Sequence, residues 1–211
     1  MSPDQLPMPQ RSHARSNRAR ILATARQELA ANPDASLEEI AHAAGVARRT
    51  LYGHFPNRQA LISALAQEAT AWIEEVYTEA RRTGDDPVTA MARMTTAVWA
   101  VGDRYRMLIS LARRDLGQEG VRAALAPARA EMMSIIERGQ LEGCIADQLP
   151  APVLAEALEA LTIGLIEAQN SSDWSDPRGA ASAVTVLLAA GVPASTAQET
   201  VRVVLGENDA D

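Results

Sequence analysis

The chain has 211 residues, is 47% hydrophobic with only seven aromatic residues, and carries a formal charge of −7. That hydrophobic share supports a packed core and excludes a mainly disordered protein. Its dominance by Ala, Leu, Val and Ile points to packed helices rather than sheets. The single cysteine, Cys144, excludes an internal disulfide and fits a reducing, cytoplasmic setting.

Charge is distributed unevenly. Residues 1–60 hold eight Arg against five Asp or Glu, a balance of +3, whereas residues 61–211 hold twelve against twenty-two, a balance of −10. An anionic partner at the N-terminal end is the physical reading of such an asymmetry. All twenty basic residues are arginine, for which biased codon usage is the plain explanation.

The opening "MSPDQLPMPQRSHARS" has no apolar core of the kind a signal peptide needs, and its three prolines suggest a loose arm over residues 1–14. A first helix is expected from about Arg15 to Ala31, with Leu22, Ala25 and Leu29 on one face. "SLEE" at 36–39 is a capping box, in which the Ser36 hydroxyl and Glu39 carboxylate each satisfy a free amide at the start of the next helix. Gly45 stops that helix by taking the left-handed conformation. A third helix starts near Ala47, with Ala47 and Leu51 inward, Phe55 one turn on, and Arg48, Arg49 and Tyr52 outward.

Two short helices joined by a turn at Gly45 and Val46 form a helix-turn-helix, whose second helix can enter a major groove. Arginine bonds guanine edges bidentately, and threonine and tyrosine hydroxyls suit phosphate oxygens. From Arg20 to Leu61, "RILATARQELAANPDASLEEIAHAAGVARRTLYGHFPNRQAL" closely resembles the DNA-binding region of the TetR family of bacterial transcriptional regulators. The resemblance implies phosphate contacts from Thr50, Tyr52 and Arg58, with His54 supporting them, and base reading from Arg48 and Arg49. With Ser36, these residues make the candidate DNA-binding set. The sequence departs from the family pattern at Ala47, where serine is frequent, at Arg49, where a small residue is common, and at Arg58, where lysine is usual.

Pro56 ends the third helix, and Asn57 caps a long helix to about Arg82 whose apolar side includes Leu61, Leu65 and Trp72. Asp86–Pro87 and Asp176–Pro177 each look like an N-cap followed by a first helical residue. Further helices are expected near 87–101, 103–115, 119–140, 151–169, 177–190 and 195–205, so the chain reads as all-α. A helix-turn-helix domain at 15–60 precedes a helical ligand-binding and dimerisation body at 61–211. The most apolar run, "AVTVLLAAGV" at 183–192, is too short to span a bilayer, and no membrane association is expected.

In the body, Met91, Met94, Val98 and Val101 follow helical spacing, as do Val121, Leu125, Met132 and Ile136. Core packing explains both stripes, yet methionine also adapts to irregular ligands, and aromatic faces suit a pocket. The resemblance implies a cavity, for which Trp72, Met91, Met94, Trp99, Tyr105 and Met132 are the candidates. It also implies a homodimer, with Ala157, Leu161, Gly164 and Ala168 on one helix and Ala180, Ala183 and Leu187 on the next forming a four-helix interface.

An enzyme finds little support. His13, His42 and His54 are scattered, and no Cys/His metal spacing, glycine-rich phosphate loop or nucleophile motif occurs. No cofactor or metal is expected. The expected function is a transcriptional regulator, a repressor released from operator DNA by a small, largely apolar effector. The alternatives are a helical interaction module and a regulator with no small-molecule ligand.

Overall fold

The computed structural model describes residues 9–104, 108–171 and 173–207. Among them every regular element is helical: α1 (Pro9–Ala31), α2 (Leu37–Ala43), α3 (Arg48–His54), α4 (Arg58–Thr83), α5 (Pro87–Arg104), α6 (Leu108–Leu141), α7 (Ala151–Ser171), α8 (Ala180–Ala189) and α9 (Ala194–Val204). The all-α expectation holds. The first helix begins at Pro9, ahead of the expected start near Arg15. The expected helices at 103–115 and 119–140 are the two parts of α6, which breaks at Gly117 (φ 70°, ψ 179°), a backbone geometry open to glycine and strained for any residue with a Cβ.

The chain divides into two compact units. The first comprises residues 1–67 and 107–121, the second residues 68–106 and 122–211. The first unit is built on an apolar cluster from α1 (Ile21, Leu22, Ala25, Leu29), α2 (Leu37, Ile40, Ala41), α3 (Leu51), α4 (Leu61, Ile62, Leu65) and the start of α6 (Leu111, Ala112), closed by Phe55. The Arg18 guanidinium lies 5.6 Å from the centre of the Phe55 ring, a cation–π contact across the edge of this core.

Local chemistry sets the helix ends. Ser36 accepts from the Glu39 amide at 3.2 Å while the Glu39 carboxylate accepts from the Ser36 amide at 2.7 Å, so the capping box forms as expected. That amide bond, with the Ser36 hydroxyl, holds the Glu39 carboxyl below its usual range. Gly45 has φ 62°, and the Val46 amide reaches back to the Ala41 carbonyl, closing the end of α2. The Asn57 side chain accepts from the Ala60 amide at 2.8 Å, and Asp86 accepts from the amides of Val88 and Thr89.

In the second unit α5 packs on α7, α8 and α9. The second Asp–Pro pair departs from expectation. Helix α8 starts at Ala180, not at Pro177, because Gly179 is left-handed (φ 72°), and Asp176 caps it from farther back by accepting from the Ser182 amide at 2.8 Å. No described helix is long and apolar enough to cross a membrane.

Candidate functional site

The exposed side of α3 carries Arg48, Arg49 and Tyr52, while Leu51 and Phe55 are fully buried behind it. Neither Arg48 nor Arg49 has a hydrogen-bond or ion-pair partner among the described residues, so both guanidinium groups remain available to an external acceptor. Thr50 and His54 are half-buried at the margins of this face. Ala47 is exposed rather than inward: it is the N-cap of α3, and its alanine side chain makes no capping bond. The free amides at this helix start therefore face outward unsatisfied by a side chain, a favourable place for an anion.

Three expected DNA contacts have protein partners. The Tyr52 hydroxyl donates to Glu38 at 2.7 Å, a bond that holds the Glu38 carboxyl below its ordinary range and pushes the Tyr52 phenol up. The Ser36 hydroxyl donates to Glu39 at 2.8 Å within the capping box. Arg58 departs furthest from the expected phosphate contact. Its Nε donates to Asp115 at 3.2 Å, Nη1 to the Ala35 carbonyl at 2.7 Å and Nη2 to the Pro33 carbonyl at 2.6 Å. All three nitrogens point into the first unit, because the 32–35 turn presents carbonyls that nothing else satisfies. Arg114 grips the same turn through Asp34 and the Pro33 carbonyl. No sequence signal marked Asp115 or Arg114, since both lie more than fifty residues from their partners.

The second unit contains a cavity of about 70 Å³ between α5, α6 and α7. Its lining includes Met94 and Met132 from the expected set, together with Val98, Leu125, Ala155 and Leu158. The other expected pocket residues lie elsewhere. Met91 is fully buried in the core. Trp99 donates its indole N–H to the Asp176 carbonyl at 2.5 Å and meets Trp174 edge to face at 5.9 Å, so it is a packing residue of this unit rather than a wall of the cavity. Trp72 is half-buried outside the lining, and Tyr105 lies outside the described residues. Sequence reasoning missed Arg129 and Glu159, which both line the cavity and pair at 2.7 Å. The signal was present: Arg129 interrupts the apolar stripe running from Leu125 to Met132.

The expected interface residues divide between two surroundings. On α7, Ala157, Gly164 and Ala168 are exposed and Leu161 is half-buried, and a Cβ placed on Gly164 would meet nothing within 4 Å. On α8, Ala180 is half-buried, but Ala183 and Leu187 are 0% exposed. Those two face the chain's own core, so the side of α8 open to a second copy is the one with Ala181, Thr185 and Leu188.

A face of this kind, on the second helix of a helix-turn-helix above an apolar core, defines a DNA-binding regulator. Residues 21–65 match the family model of the bacterial regulatory proteins of the tetR family, about a fifth of the chain. The chain is a TetR-family, DNA-binding transcriptional regulator. A comparison with curated protein sequences finds no match. Solved structures share its fold at low identity. LfrR from Mycobacterium smegmatis, in complex with proflavine, is 20% identical at a TM-score of 0.61, covering 94% of this chain and 99% of that one. RolR in complex with resorcinol is 19% identical at a TM-score of 0.56, covering 90% and 95%. NalD of Pseudomonas aeruginosa, described as the secondary repressor of the MexAB-OprM multidrug efflux pump, is 20% identical at a TM-score of 0.61, covering 89% and 96%.

Proposed function

We propose that this regulator is a homodimeric repressor that reads operator DNA with α3 and is released from it by a small, largely apolar ligand. The observation that carries the DNA half is the pair Arg48 and Arg49, exposed and unpartnered on the outer face of a capped and buried helix-turn-helix. Phosphate contacts supply most of the affinity, and base edges in the major groove supply the specificity. Two copies related by a two-fold axis read two half-sites, so the spacing of their heads sets which DNA fits.

The ligand half is supported by the apolar cavity of the second unit and by the resorcinol and proflavine held by two proteins of the same fold. A ligand with higher affinity for the conformation that mismatches the operator lowers DNA affinity by that ratio, and operator DNA lowers ligand affinity equally. A gel shift of the full-length protein on the DNA flanking its own gene tests the reading. A saturable complex that survives a large excess of random DNA is expected. Binding no tighter than to random DNA at physiological salt would sink it.

A further inference from the structure

The cavity lining is apolar except at Thr95, Thr162, Arg129 and Glu159. Both threonine hydroxyls donate within their own helices, Thr95 to the Met91 carbonyl at 2.9 Å and Thr162 to the Leu158 carbonyl at 2.8 Å. What they leave toward the cavity is acceptor capacity only. Arg129 donates from Nη2 to Glu159 at 2.7 Å, yet its Nε is sealed from solvent with no hydrogen-bond partner. A buried, charged donor left unmade is costly, and this one belongs to a residue that lines a cavity.

We propose that the cavity binds a compact, neutral hydroxyl compound, a phenol or a short alcohol, whose oxygen accepts from Arg129 Nε and whose O–H donates to Glu159. The inference rests on the ligand-responsive reading and names the ligand class for it. Arg129 and Glu159 already balance each other, so a carboxylate ligand brings its charge against Glu159 and an ammonium brings its charge against Arg129. A plain hydrocarbon leaves the Arg129 donor unmade. A hydroxyl group satisfies donor and acceptor together and adds no charge. The volume of about 70 Å³ favours a small body. It is below the roughly 150 Å³ that houses a benzene ring, so Met94 and Met132 must repack around the ligand, which their flexible thioethers permit.

Calorimetric titration of the full-length protein with 4-ethylphenol, 1-hexanol, ethylbenzene and 4-ethylbenzoate tests the proposal. The expected result is binding of one or both hydroxyl compounds about tenfold or more tighter than ethylbenzene, with 4-ethylbenzoate weakest. Arg129→Lys keeps the charge opposite Glu159 but lacks the Nε–H, so the preference for the hydroxyl over ethylbenzene shrinks in it. Glu159→Gln serves as the second variant if the lysine form fails to fold, and it too narrows the preference. Met94→Trp fills the cavity and abolishes binding of all four compounds. Equal binding of ethylbenzene and 4-ethylphenol, tighter binding of 4-ethylbenzoate, no binding of any compound, or binding that survives Met94→Trp would each overturn the assignment. Gel shifts with the same compounds separate this from the regulatory reading. Release of DNA by ethylbenzene as readily as by 4-ethylphenol keeps the regulator and removes the anchor. Hydroxyl-selective binding with no effect on DNA keeps the anchor and removes the regulation.

Discussion

Arg58 and Asp115, 57 residues apart in the chain, form an ion pair of 3.2 Å in which both side chains are mostly buried. Together with the two carbonyls that Arg58 also holds, this pair ties the start of α4 to the turn before α2 and to the first part of α6. The basic residue that opens α4 is thus an internal clasp of the DNA-binding unit.

The first prediction follows from the clasp. Arg58→Ala should destabilise the protein by about 1–3 kcal/mol, because it strands a carboxylate and two carbonyls that have little access to water. Asp115→Asn should cost less, since the amide still accepts from Arg58. Urea unfolding measures both. The salt dependence of DNA binding should keep its slope in any variant that remains folded. A slope reduced by about one unit would return Arg58 to a phosphate.

The bond from Tyr52 to Glu38 sets a second expectation. Because it lowers the Glu38 pKa in the folded state, its contribution to stability is present above the unfolded-state value and is lost as pH falls through the lower folded value. The stability difference between wild type and Tyr52→Phe should therefore shrink in the acidic range and be constant near neutrality, as read from urea midpoints at several pH values. On DNA the same bond competes with phosphate for the phenol. Glu38→Gln should strengthen binding to all sequences alike, by removing a negative charge and loosening Tyr52. Weaker binding would mean that Glu38 positions Tyr52 for the phosphate.

The division between α7 and α8 gives a third. Ala157→Glu or Ala168→Glu places a charge on an exposed face and should weaken a homodimer about tenfold or more without unfolding the monomer. Leu187→Ala empties a fully buried site and should cost about 2–5 kcal/mol of stability instead. Sedimentation equilibrium beside urea unfolding distinguishes the two effects. A dimer indifferent to both glutamates would put the interface on another surface.

What the sequence made legible was local. Ser36 with Glu39, Asn57, Asp86 with Pro87, and Gly45 each act through backbone groups a few residues away, and each does what its spacing implied. The residues that went astray answer to distant partners. Arg58 turned inward for Asp115, and Trp99 turned to an Asp176 carbonyl 77 residues on. Helix α8 failed differently. It is apolar on most of its circumference, so periodicity alone could not say which side met the core, and Ala183 and Leu187 were on that side. Arg129 was visible as a break in an apolar stripe, but its meaning needed Glu159 from α7 beside it.

The central claim is that α3 reads bases through Arg48 and Arg49, and one measurement tests it most directly. The full-length protein and the Arg48→Ala, Arg49→Ala and double variants are each used to select duplexes from a random-sequence library at physiological salt, and the bound pools are sequenced. The account predicts that the wild type enriches two inverted half-sites. A single variant at the base-reading arginine should relax one position in each half-site at a cost of about 1–3 kcal/mol, and the double variant should lose the preference while keeping salt-dependent binding. The same half-sites enriched by the double variant at wild-type affinity would contradict it.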